Sequence, residues 1–118
     1  MHITIYMEFE PEDLCRFFKE QSGKQDIDCS NVKKFLDVFY DVFIEEHNFD
    51  IKIMNETKEE LKYFLVYGRN NSFIIIKMYY SKNLNVIQFV FIISTDYIWK
   101  LSSLINILGK YAKNVNVT

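Results

Sequence analysis

Residues 72–94 read Ser72-Phe-Ile-Ile-Ile-Lys-Met-Tyr-Tyr-Ser-Lys-Asn-Leu-Asn-Val-Ile-Gln-Phe-Val-Phe-Ile-Ile-Ser94. Two runs dense in β-branched and aromatic residues flank the short polar break Ser81–Asn85, the pattern of two antiparallel strands joined by a loop. One face of each run is wholly apolar: Ile74, Ile76, Met78 and Tyr80 in the first, Ile87, Phe89, Phe91 and Ile93 in the second. The opposite faces are interrupted only by Lys77 and Gln88. Strands this apolar belong in the middle of a sheet, with helices over at least one face.

Working outward from this hairpin, Gly68-Arg69-Asn70-Asn71 is a turn signal that leads into Ser72. Phe49–Met54 and Glu60–Tyr67 read as two further strands around Asn55–Lys58. Thr57 and Glu60 could also form a capping box and start a helix, but the β-prone tail Tyr63–Tyr67 favours a strand. His2–Met7 alternates well enough for a first strand. Pro11 stands where a first helical residue would, with Glu12 and Asp13 at the positive end of the helix dipole and Gly23 as its stop. Asp28 or Ser30 can cap a second helix to about His47, with Val32, Leu36, Phe39 and Phe43 as its apolar stripe. Thr95 and Asp96 open a last helix, with Ile98, Leu101, Leu104, Ile105, Leu108 and Ala112 on its apolar side and Lys110 and Lys113 in its final turn. The predicted fold is α+β: one domain over residues 1–118, an antiparallel meander of four to five strands, and three helices packed mainly on one face.

Composition narrows the function. Hydrophobic residues are 49% of the 118, which excludes a disordered chain, and no apolar run is long enough for a membrane helix. The opening residues lack the basic leader and apolar block of a secretory signal. Cys15 and Cys29 are too few for a disulfide framework, so the expectation is two reduced thiols in a cytoplasmic protein. Fifteen isoleucines and ten asparagines against one alanine suggest an AT-rich gene. The net charge of −2 is divided unevenly: residues 1–60 hold fifteen acidic and seven basic residues, and residues 61–118 one acidic and seven basic. Such asymmetry points to a charged partner or to two faces with different roles, unless the halves neutralise each other on folding.

Signals for catalysis are few. The three glycines stand alone, no nucleophile elbow or Cys-x-x-Cys is present, and Glu45-Glu46-His47 lacks the i, i+4 spacing of a zinc helix. No catalytic, metal or cofactor residue is assigned, and an enzyme is not expected. Nucleic-acid binding through the sheet face is the alternative reading: the second half is basic and aromatic-rich, and exposed rings on a sheet can stack bases. Scattered lysines and a pI of about 5.7 oppose it.

A protein-binding module is the main expectation. Asp37, Asp41 and Glu45 recur every four residues as an acidic ridge, Glu46 adjoins them, and Trp99 falls on the polar side of the last helix. These five are the expected partner contacts, since tryptophan dominates interface energy and acidic surfaces speed capture of basic partners. In size, acidity, AT-rich composition and α+β outline the whole chain resembles small bacterial immunity proteins of the contact-dependent inhibition type, although no motif carries the likeness. That resemblance implies a chain that binds one cognate toxin, an antitoxin in function. A basic nuclease is the partner expected from the acidity. No membrane partner is expected, and a homodimer through the second face of the sheet stays open.

Overall fold

The computed structural model describes residues 1–118, apart from the side chain of Glu46. The chain forms one six-stranded antiparallel sheet from β1 (His2–Phe9), β2 (Asp50–Glu56), β3 (Glu60–Arg69), β4 (Ser72–Ser81), β5 (Val86–Ser94) and β6 (Asn114–Val117). The spatial order is β2-β3-β4-β5-β1-β6. The meander from β2 to β5 is as expected, and β1 extends it beside β5, with His2 opposite Ser94 and Phe9 opposite Ile87. The sixth strand exceeds the expected count. Helix α3 (Ile98–Gly109) stops short of Lys110, so the chain is free to return as β6 against β1. Lys113 therefore lies outside the helix, where its backbone N–H donates to the Glu8 carbonyl at 2.9 Å and its Nζ pairs with Glu10 at 3.3 Å.

Turns fit their residues. Asn70 and Asn71, at φ 54° and 67°, form the two-residue link between β3 and β4. Asparagine tolerates the left-handed region that such a hairpin requires at both central positions. The Thr57–Glu60 segment is a hairpin turn rather than a helix start: Thr57 Oγ1 accepts from the Glu60 N–H at 3.1 Å while the Thr57 N–H donates to the Glu60 carbonyl.

All three helices cover the same side of the sheet. Ile74, Ile76, Met78, Ile87, Phe89, Phe91 and Ile93 are fully buried beneath them, as the alternation predicts. Helix α1 (Pro11–Ser22) sends Leu14, Cys15, Phe17 and Phe18 into this core. Phe18 stacks on Phe39 at 5.2 Å, and Phe39 meets Phe89 of the central strand at 5.3 Å, so a run of rings ties α1 through α2 to the sheet. Each such pair adds about 0.5–1.5 kcal/mol beyond area burial.

The second helical segment departs from expectation at both ends. Its cap is Asn31, whose Oδ1 accepts from the Lys34 N–H at 3.1 Å. Asp28 is instead occupied by Ser30, which bonds to it through both N–H and hydroxyl. After α2 (Val32–Phe39) the backbone widens into a π turn (Tyr40–Ile44) and then tightens into a 3₁₀ turn (Glu45–His47) closed by Asn48 at φ 62°. The wider turn shifts the apolar stripe by one residue. Ile44, not Phe43, becomes fully buried, and Phe43 is only half-buried.

The expectation of two free thiols is also corrected. Cys15 on α1 and Cys29 on the following loop are bonded, with Cα atoms 5.6 Å apart. Gly23, at φ 72°, ends α1 in the left-handed conformation and turns the loop back over the helix, which brings the two sulfurs together. A bond across 14 residues limits the unfolded chain, a stabilisation of about 3 kcal/mol in the chain-entropy account. The non-reduced protein should therefore show no reactive thiol in denaturant. Reductant should lower its melting temperature by several degrees, and the melting of Cys29→Ser should be low and insensitive to reductant. Equal melting curves with and without reductant would remove the bond from this account.

Candidate functional site: an acidic groove between a helix and an edge strand

Strand β2 lies at the edge of the sheet and is exposed along its whole length. Its register explains why. Ile51 pairs with Leu65, Met54 with Tyr63 and Glu56 with Leu61, and a bulge falls between Ile51 and Ile53. Because Leu65, Tyr63 and Leu61 are buried under the helices, Ile51, Met54 and Glu56 project on that same side. No helix covers them there: Ile51 is 43% and Met54 50% exposed. At its Glu56 end the edge strand and the start of α2 line one cleft, and toward Met54 and Ile51 the strand's helix-facing side stays open as an apolar groove wall.

Carboxylates rim this groove. The Tyr63 hydroxyl donates to Asp37 Oδ1 at 3.0 Å, which ties the helix to the sheet. Asp37 Oδ2 takes Lys33 Nζ at 3.1 Å. Burial pushes the Tyr63 hydroxyl far above its usual range, and the bond to Asp37 and the charge of Glu56 push it the same way. Farther along, the Tyr40 hydroxyl donates to the Phe49 carbonyl at 3.0 Å. Its titration is also raised, first by burial and then by Glu45, Asp50 and Asp41. Two tyrosines thus report four carboxylates near the helices, Asp37, Asp41, Glu45 and Glu56, whereas Asp50 at the start of β2 shares the face of Val66. Among the described residues, Lys33 on Asp37 and Lys52, 4.0 Å from Asp50, are the lysines paired with them. The flank is therefore net acidic.

The expected contacts fall unevenly on this site. Asp41 and Glu45 are exposed, and both lie near Tyr40. Asp37 is only partly a solvated ridge residue, because its carboxylate is held by Tyr63 and Lys33. The side chain of Glu46 lies outside the described residues. Trp99 is 67% exposed on α3. It is linked to the groove's far end through a relay of contacts: Lys100 Nζ lies 5.6 Å from the Trp99 ring and 4.6 Å from Tyr67, and Tyr67 packs on Phe49 at 5.8 Å. Ile51, Met54, Asp50, Glu56 and the two tyrosines are not among the expected site residues. The sequence carries no signal for the first pair, because Ile51 and Met54 stand three apart and share a face only across the bulge between Ile51 and Ile53.

Chemically, the arrangement offers apolar contact surrounded by negative charge. An open cleft of about 440 Å³ lies at the start of α2, lined by Asp28 and Glu56 together with Lys33 and Lys82. Two charges of each sign leave it close to neutral. Among the described residues, no group of three or more His, Cys, Asp or Glu could hold a metal ion, and no helix is long and apolar enough to cross a membrane. In comparisons with known proteins, no family model, no curated protein and no solved structure matches the chain.

Tyr63→Phe should cost about 1 kcal/mol at neutral pH through the lost bond to Asp37. The sign at high pH follows from the raised titration. An unfolded tyrosine ionises near pH 10 and the folded one resists, so Tyr63 holds its full stabilisation below about pH 10 and loses it as pH rises further. In chemical denaturation between pH 8 and pH 11, the wild type should lose stability more steeply than Tyr63→Phe. Parallel curves would place the hydroxyl outside the linkage.

Proposed function

We propose that this chain is an immunity-type binding protein that neutralises a cognate, basic toxin domain, with the acidic groove as its contact surface. One observation carries the reading: Ile51 and Met54 are exposed on an edge strand, and Asp41 and Glu45 lie close enough to Tyr40, which bonds Phe49 just before that strand, to raise its titration. Apolar anchors inside a charged rim are the anatomy of a protein interface rather than of a solvated helix face. The acidic rim supplies long-range attraction, and the floor supplies short-range affinity. Trp99 extends the contact past the far end of the groove.

A nuclease remains the partner class of choice, because its substrate cleft is positive. Nucleic acid itself fits less well. Lys77 pairs in register with Phe64 and Val90 on the uncovered side of the sheet, whereas Lys100 lies over Tyr67 on the helix side. Lys82 sits in the loop after β4. The three lysines do not form a single phosphate-binding track. The disulfide counts against the cytoplasmic compartment of the sequence reading, since such bonds persist in oxidising surroundings. A toxin met in an envelope space agrees with it better.

The test is co-expression with the product of the adjacent open reading frame, followed by titration of the purified pair. The wild type should restore growth and bind the product. Asp41→Lys with Glu45→Lys should weaken binding at least tenfold in low salt and less in high salt, with little change in melting temperature. Met54→Asp should weaken binding at every salt concentration. Unchanged affinity in both variants would remove the groove from the interface, and a pair that neither binds nor protects would overturn the neutraliser reading.

A further inference from the structure

The side of the sheet away from the helices carries a second surface. Its central row runs Ile53, Phe64, Lys77, Val90, Tyr6 and Asn116 from one edge to the other, each opposite the next. The neighbouring row on one side runs Asp50, Val66, Ile75, Ile92 and Thr4, and on the other Asn55, Lys62, Tyr79, Gln88, Glu8 and Asn114. No helix covers this face, although Val90 at its centre is buried at 7% exposure. Even so, Ile53 is 60% and Tyr6 39% exposed, and Phe64, Val66, Ile75 and Ile92 are only half-buried. At standard strand spacing and rise the face measures roughly 24 Å by 30 Å, on the order of 700 Å². Its apolar residues, Ile53, Phe64, Val66, Ile75, Ile92 and Tyr6, make up part of that area, and an open apolar patch with a polar rim marks an interaction surface.

We infer that this face is the interface of a two-fold homodimer. The six strands divide equally between β4 and β5. A two-fold axis laid along the strands at that boundary therefore places β4 over β5 of the second copy, β3 over β1 and β2 over β6. Each row then meets its own reverse. Ile75 faces Ile92 of the second copy, and Phe64 faces Tyr6. Lys62 faces Glu8, so opposite charges meet twice in the dimer. Lys77 faces Val90, and its stem lies on apolar surface while its ammonium stays near Phe64, as it does within one chain at 5.7 Å. A shallow depression of about 340 Å³ lined by Tyr6, Glu8, Gln88, Asn114 and Asn116 receives Phe64 and Lys62. Two such faces in complete contact would bury at most about 1,400 Å², and twisted sheets meet over less than that, toward the lower end of specific interfaces. A second copy fits because this charge pattern complements itself, which a face built for a strongly acidic or basic partner would not do. This inference does not depend on the neutraliser reading, because the groove lies on the other side of the sheet.

Sedimentation velocity on the purified chain from 1 to 100 µM tests it. The wild type should be a dimer, and Ile75→Lys should be a monomer with an unchanged circular dichroism spectrum. A charge swap separates specific pairing from general stickiness. Lys62→Glu should weaken the dimer at least tenfold, Glu8→Lys should do the same, and the double swap should restore most of the affinity. A wild type that stays monomeric at 100 µM overturns the proposal, as does a dimer indifferent to Ile75→Lys or to the single swaps. A monomer that binds a labelled single-stranded oligonucleotide through this face, and loses it in Ile75→Lys, overturns it in favour of nucleic acid.

Discussion

The stack of Phe18 on Phe39 and Phe39 on Phe89 holds the molecule's layers together. Phe89 sits on β5, one of the two strands at the middle of the sheet, and Phe39 closes the regular part of the second helix. This contact fixes where the helical layer lies and how far it reaches. Three helices of 12, 8 and 12 residues cannot cover six strands on both sides. They seal one face and stop short of β2. The two surfaces argued above are what that shortfall leaves: an uncovered edge strand beside α2, and an uncovered far face.

The π turn belongs to the same constraint. Continued as α-helix, residues 40–47 would carry the stripe through Val32, Leu36 and Phe39 to Phe43. Widening the turn instead sends Ile44 inward and brings the Tyr40 hydroxyl to the Phe49 carbonyl. Asp41 and Glu45 are thereby placed around Tyr40, where their charge, together with that of Asp50, raises its titration. The acidic flank thus depends on a backbone irregularity as well as on the four-residue spacing of the acids. Single turns of this kind often occur at functional sites because they re-aim side chains at modest cost.

Some of this was legible in the residues and some was not. The central hairpin was, because strict alternation leaves one assignment of faces, and Ile74 through Ile93 lie where it puts them. The exposure of Trp99 was legible for the same reason, from its polar helix neighbours. The disulfide was not. Two cysteines fourteen apart carry no pairing signal until Gly23 reverses the chain. Nor was β6, because Asn114–Val117 is too short and polar to announce a strand and exists only by pairing to β1. The acidic ridge was half legible. Spacing found Asp37, Asp41 and Glu45, but only the fold shows that Asp37 is spent on Tyr63 while Ile51 and Met54 are left exposed on the edge strand.

The placement of the two surfaces has a consequence for how a neutraliser of this design would work. Groove and far face lie on opposite sides of one sheet. Pairing through the far face would bury Phe64, Val66, Ile75 and Ile92 while leaving Asp41, Glu45, Ile51 and Met54 open on both copies. The two grooves would then face outward and away from each other, too far apart to share one small toxin domain. Such a dimer binds two partners independently, with no gain in affinity from valency. What it does supply is stability for the sheet that frames each groove, since an open apolar face and an open edge are both routes to aggregation. Covering the larger of them with a second copy would leave the edge strands to be protected, and at β2 nearby carboxylates would act as charge against unwanted strand pairing, a role compatible with the proposed attraction for a basic partner.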